Sequence, residues 1–244
     1  MPIHGSMFQQ YQETTGQDPF TLQNKKLLKI HMHYGPVNCR TGSMVAYQGD
    51  VRFENTGSGG LDKFIKSKVT GEGVNVMQCS GTGELFVADM ASEIQVFYLE
   101  NDSVSCNGAS VLAFSSSINW DIHRIGGGAA GAMAGGLYNV TLSGTGYVAL
   151  TTKGEPVVLD VSGPPTFADP NAVVFWTSGV QMSVKTDTGG LKSMLRGGTG
   201  ETFQLGFSGQ GYVMVQPAEN VSTTGGSAAS GGSGGGLLGG ILGQ

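Results

Sequence analysis

Over short stretches of this 244-residue chain, apolar and polar positions change places every residue or two rather than every three or four. A period near two marks strands with one buried face. Met44–Phe53 reads MVAYQGDVRF, Val111–Ile122 reads VLAFSSSINWDI and Val173–Val184 reads VVFWTSGVQMSV. Each joins an apolar-aromatic run to an alternating run through a small polar turn, which predicts three β-hairpins. The aromatic residue before the turn is Tyr47, Phe114 or Trp176, and the apolar residue after it is Val51, Ile118 or Val180. A β-prone run precedes each hairpin: Leu27–Met32, Ile94–Leu99 and Pro156–Val161.

A glycine phrase follows each hairpin. SGTG begins at Ser80 and again at Ser143, and SGQG begins at Ser208, so the starts lie 63 and 65 residues apart. A spacing near 64 suits a small β unit used three times. Each phrase opens a strand-like run and not a helix, so structural turns explain the glycines better than a phosphate cradle, which needs a helix after the loop. Between hairpin and phrase, Gly60-Leu61 with Phe64-Ile65 and Gly190-Leu191 with Met194-Leu195 predict single helical turns. The middle copy carries GGGAAGAMAGG at Gly126–Gly136 instead.

The expected fold is therefore all-β: three tandem antiparallel β units, double-stranded β-helix or sandwich-like, with a pseudo-threefold repeat and few short helical turns. Residues 1–24 form an N-terminal segment. Residues 25–221 form one β domain with units at about 25–89, 90–152 and 153–217. Residues 222–244 form a Gly/Ser-rich tail expected to be disordered.

Composition agrees with this. Charged residues are only 13%, against a usual ~25%, and 42 residues are glycine, so the chain is rich in turns and poor in charge. A net charge of −5 weighs against a nucleic-acid partner, which needs a basic footprint. No stretch approaches the ~18 apolar residues of a spanning helix, no signal peptide is visible, and a cytoplasmic protein is expected. Association with a membrane surface stays open. Cys39, Cys79 and Cys106 have neither Cys-x-x-Cys spacing nor an even count, so reduced thiols are expected.

Few residues carry candidate chemistry. His31-Met32-His33 would place two imidazoles on one face of a strand, a pattern found in metal enzymes of the double-stranded β-helix class. No Asp or Glu follows closely, and the only later histidine is His123, so an exposed strand face is the expectation. His4 lies in an irregular end. Asp89, Glu93 and Asp102 are not paired by sequence for acid–base work. Cys79 aligns with Leu142 and Phe207 in the other units, which predicts an inward apolar position. Trp120 and Trp176 read as core or interface. No catalytic, cofactor or metal residue is assigned, and no cofactor is expected.

The Gly-x-Gly phrases before β runs, the stretch ETTG…PFTLQNKKLLKI from Glu13 to Ile30 and the Gly/Ala-rich inserts resemble the altered-inheritance-of-mitochondria protein 24 family, as a bacterial member. The resemblance covers about Met7 to Glu219. It implies tandem β units similar to the tryptophan RNA-binding attenuation protein fold, and oligomers. Mitochondrial members are linked to inner-membrane organisation; no transit peptide is visible here. The family brings no catalytic residue onto positions of this chain.

The leading functional expectation is a non-enzymatic structural or assembly protein that forms a homo-oligomer, with protein partners unknown. The alternatives are a small-ligand or RNA-binding β module and a metal-dependent enzyme using His31 and His33.

Overall fold

The computed structural model describes residues 3–54, 75–124, 138–186 and 203–217. The helical turns expected near Leu61 and Leu191, the Gly126–Gly136 stretch and the 222–244 tail lie outside these residues. The described strands are β1 (Phe20–Asn24), β2 (Leu27–His31), β3 (Val37–Arg40), β4 (Met44–Glu54), β5 (Val76–Val87), β6 (Glu93–Asn107), β7 (Val111–Ser115) and β8 (Asn119–Arg124). They continue with β9 (Tyr138–Thr152), β10 (Val157–Asp160), β11 (Thr166–Ala168), β12 (Val173–Thr177), β13 (Val180–Thr186), β14 (Phe203–Gly209) and β15 (Tyr212–Val215). Among the described residues, helix is limited to one short turn at Met7–Gln10 and two 3-10 turns, at Met32–Tyr34 and Gly108–Ser110.

The fold is all-β and antiparallel, as the period-two patterning predicts. One large sheet runs β1-β2-β5-β3-β7-β9-β6-β12-β15-β10, with β4 also on β5 and β8 also on β9; a small sheet runs β11-β14-β13. No barrel closes among the described residues. Inward residues gather into three apolar clusters, around Leu28, Ile30 and Leu85, around Phe114, Leu142 and Leu150, and around Trp176 and Phe207.

The three hairpins are not hairpins. β7 and β8 flank the Ser116–Ile118 turn but do not pair with each other; both pair with β9. β12 pairs with β15 while β13 pairs with β14. β4 is one continuous strand along β5, yet the Tyr47 and Phe53 rings, six residues apart, lie 5.4 Å from each other. That distance requires a sharp bend. In all three places a strand turns a corner, and its two halves pair with the two halves of the strand that carries the glycine phrase.

The phrases make this corner possible. Gly83 has φ +125°, and a Cβ there would overlap the carbonyl oxygen of Gln48 on β4. Gly211 has φ +143°, and a Cβ there would overlap the Thr177 hydroxyl. Only glycine accepts both the backbone angle and the approach. On β6 the bend opposite the second phrase is a bulge between Leu99 and Asp102, where Asn101 takes φ +52°.

Val173–Trp176 and Ile94–Leu99 carry no charged residue; Val173–Trp176 lies between β15 and β6, so its lack of charge reflects burial. Ile94–Leu99 pairs with β9 on one side. On its other side β12 reaches only as far as Val104–Cys106.

Candidate functional site

β2 is buried on both faces. Leu28 and Ile30 point into the first apolar cluster. Lys29 and His31, two residues apart and therefore on the opposite face, are buried as well, at 3% exposure each. Their cover is the N-terminal segment Gln12–Asp18, a strap laid over the sheet. Thr14 N donates to Gln23 Oε1 (2.8 Å), and Gln23 Nε2 donates to Gln12 O (2.9 Å), which ties the strap to β1.

Beneath the strap lies an ionic cluster. Lys29 Nζ donates to Glu13 Oε1 (2.6 Å) and Thr14 O (3.1 Å) on the strap, and pairs with Glu84 Oε1 (2.9 Å) on β5. All three ammonium protons are thereby used. Glu84 stands directly across from His31 in the β2–β5 register and from Gln48 in the β4–β5 register. His31 Nδ1 lies 3.4 Å from Glu84 Oε1, and His31 Nε2 lies 2.8 Å from Gly16 O on the strap. Gln48 Nε2 donates to Glu13 Oε2 (3.2 Å).

The electrostatics follow from this crowding. Hydrogen bonding with Glu84, and then with Lys29, holds the Glu13 carboxyl below its ordinary value. Burial opposes the charge on Lys29, but its bonds to the two carboxylates outweigh that and hold the ammonium above its ordinary value. Lys29 thus occupies the place where a bound cation would sit. Among the described residues no group of three or more His, Cys, Asp or Glu could hold a metal ion.

The expectation that His31 and His33 share an exposed strand face is corrected. The chain leaves β2 after His31 and enters the Met32–Tyr34 turn, which ends at Gly35 with φ +122°. His33 is exposed, with its ring 4.0 Å from that of Tyr34 and 5.7 Å from that of His31. His31 is part of the ionic cluster instead.

Beside His31 opens a cavity of about 200 Å³, lined among others by Phe20, His31, Tyr34, Pro36, Ser115 and Ser117. Its polar groups serve the scaffold. Tyr147 N donates to Ser115 Oγ (3.0 Å), Ser117 Oγ donates to Thr145 O (2.7 Å), and Tyr34 Oη donates to Gln17 O of the strap (3.0 Å).

The other candidates are dispersed. Cys79 is buried in the first apolar cluster, the inward position its alignment predicts; Cys39 shares that cluster. All three cysteines are free and buried, and burial pushes the Cys106 thiol up. Trp176 is core and Trp120 packs against the second cluster. Asp102 accepts from Ser103 N (2.6 Å) and Ser178 Oγ (2.8 Å), which holds its carboxyl below the ordinary value. Asp89 pairs with Arg40 (3.2 Å). Glu93 starts β6, and exposed His123 lies 3.7 Å from Asp121.

Sequence reasoning missed Arg40. Its Nε donates to Val111 O (2.9 Å), and its Nη2 donates to Val111 O (2.8 Å), Gly108 O (3.3 Å) and Ala109 O. The fork clamps β3 to the turn that leads into β7. It also missed the Glu13–Lys29–Glu84 cluster, although a lysine two residues from a histidine in an otherwise apolar strand is a visible signal.

These features define an all-β antiparallel protein whose most elaborate polar site is an ionic clasp over its N-terminal strap. The chain belongs to the family described as Mitochondrial biogenesis AIM24, which matches residues 20–218. It is also similar in fold to the crystal structure of a Streptococcus pyogenes protein, with a TM-score of 0.63 and 21% identity over 82% of this chain and 92% of that one. No curated protein matches it. No described helix is long and apolar enough to cross a membrane.

Proposed function

We propose that this member of the AIM24 family is a non-enzymatic structural or assembly protein whose β scaffold associates with further copies of itself. The observation that carries this reading is the first half of β6. Ile94–Leu99 has six consecutive uncharged positions bonded to β9 on one side; on the other, Ile94 N donates to Lys25 O (2.7 Å) in the turn between β1 and β2, and from Gln95 to Leu99 no strand pairs with the run among the described residues. Tyr98 stands on it 52% exposed. Edges of this kind are ordinarily blunted by charge or proline, or covered by a partner. A closed ring or dimer of identical chains is the common form of such cover.

Size exclusion with light scattering tests it. The intact chain should run above its 25.2 kDa monomer mass at micromolar concentration, and Tyr98→Lys should shift it toward monomer without changing its β-sheet spectrum. A monomeric intact chain sinks the reading. The cavity beside His31 supports a second reading, a small-ligand module.

A further inference from the structure

We propose that β11 (Thr166–Ala168) of one chain pairs with the first half of β4 in a second copy, so that copies of this chain join head to tail. The inference rests on the proposed self-association and gives it a joint away from β6. Its ground is a strand pairing that occurs twice inside the chain. β3 pairs with β7: Val37 stands opposite Ser115, Asn38 opposite Phe114 and Cys39 opposite Ala113. β6 pairs with β12: Val104 stands opposite Thr177, Ser105 opposite Trp176 and Cys106 opposite Phe175.

The strands that carry the glycine phrases fix which positions correspond. Val37, Val104 and Thr166 stand opposite Cys79, Leu142 and Phe207. Tyr47, Phe114 and Trp176 stand opposite Leu85, Val148 and Val213. A register shift falls just before each of these aromatics, between Met44 and Ala46, Val111 and Ala113, and Val173 and Phe175. β11 therefore holds the place of β3 and of the second half of β6, and Met44–Gln48 holds the place of β7 and β12. Among the described residues, however, β11 pairs only with β14 and β4 only with β5. One strand of each kind is left over, on the two free edges of the chain.

Burial shows what the missing partner would cover. Val111–Phe114 are at most 1% exposed and Val173–Trp176 at most 9%. At the corresponding positions of β4, Met44 is 42% exposed, Val45 57% and Tyr47 48%. On β11, Phe167 is 48% exposed, where its counterpart Asn38 is 9%. Carried over, the register sets Phe167 opposite Tyr47, Thr166 opposite Gln48 and Ala168 opposite Ala46. None of these six is charged, and an aromatic pair directly across two strands is a favourable contact. The two surfaces differ, so the contact is heterologous. Each added copy brings one free β4 edge and one free β11 edge, until a ring closes.

Cysteine cross-linking on the full chain tests this. The double variant Tyr47→Cys/Phe167→Cys, oxidised at micromolar concentration, should form covalent dimers and larger species on non-reducing gels. Their yield should exceed that of either single variant about tenfold or more, because directly opposed strand residues lie within disulfide reach. The three native cysteines are free and buried, and the parent chain sets the background. Should the double variant not fold, Phe167→Asp decides: its light-scattering mass should fall toward 25.2 kDa with the β-sheet spectrum unchanged. No covalent ladder above background, a disulfide confined to one chain, or a ladder as strong in a single variant would each overturn the joint. An intact chain whose mass responds to Tyr98→Lys and not to Phe167→Asp overturns the joint alone. A monomeric intact chain overturns it together with the proposed self-association.

Discussion

Lys29 and Arg40 are two cations held inside the same sheet, and they are held in different ways. The Lys29 side chain is 4% exposed and takes two carboxylates and one carbonyl, with a histidine beside them. Arg40 is 24% exposed and takes three backbone carbonyls and one carboxylate. Carbonyl oxygens do not titrate, and a guanidinium keeps its charge at any ordinary pH. The Arg40 clamp is therefore a fixed joint between β3 and the β7 turn, balanced in charge. The Lys29 clasp is built on two carboxyl groups, and one of them, Glu13, is held below its ordinary value and sits on a strap that is not part of the sheet. The same task, satisfying a buried cation, yields a permanent fixture in one place and a responsive one in the other.

The largest test of this contrast is removal of the cations. Arg40→Ala should cost on the order of 3 kcal/mol in urea unfolding, because Asp89 and three carbonyls are left facing each other. Arg40→Lys should recover only part, since an ammonium cannot reproduce the planar fork. Lys29→Met should cost less, about 2 kcal/mol. Glu13 and Glu84 are 36% and 26% exposed and can turn to water once the ammonium is gone. A Lys29 variant less stable than the Arg40 variant would reverse the comparison.

Acid provides a smaller and more selective effect. The Glu13 carboxyl is held below its ordinary value in the folded protein. Its contribution is therefore fully present above about pH 4.3, the unfolded value, and is lost as pH falls through the lower folded value. The raised Lys29 ammonium works at the other end, contributing below about pH 10.4 and failing as pH rises through its folded value. Between pH 5 and 3 the intact chain should lose well under about 1 kcal/mol through Glu13, because solvent screens a group this exposed. Glu13→Gln should remove that part of the slope, and Arg40→Ala should leave it in place. An Arg40 variant with the flatter acid profile would mean that the titrating joint is the clamp.

How far the sequence carries this picture depends on which kind of neighbour sets each feature. Strand positions were legible because period two is written locally, as in Leu27–Met32 or Val173–Trp176. Pairing was not. A strand, a small turn and a second strand are spelled the same way by a hairpin as by one strand bent round a corner. The difference lies in a partner some 30 residues on, where Gly83 or Gly211 accepts the close approach. The glycine phrases were visible, and their structural role follows from the strand after each one. The sequence pattern puts His31 on an open face because its cover, Glu13 to Gln17, is polar and without period. Nothing local says that such a segment lies over a strand. Lys29 carried the available hint: a charge in a strand buried on both faces requires an opposite charge, and Glu84 next to the first phrase supplies it.

The smallest predicted effect asks where the Lys29 set ends. His33 is two residues from His31 and its ring is in edge contact with that of His31, so the two could act as one unit. The geometry separates them. His31 is 3% exposed and bonded to Gly16 O, whereas His33 lies on an exposed 3-10 turn and packs on Tyr34. His31→Ala removes the hydrogen bond to the half-buried Gly16 and leaves a gap in a covered site, which should cost about 1–2 kcal/mol. His33→Ala touches no buried polar group and should stay within about 0.5 kcal/mol. The double variant should then match the sum of the two to within about 0.5 kcal/mol, since ring contact alone couples them weakly. Urea unfolding at pH 6 measures all three. If His33→Ala costs as much as His31→Ala, the responsive region extends past the end of β2, and the sharp line drawn between a buried clasp and its exposed neighbour does not hold.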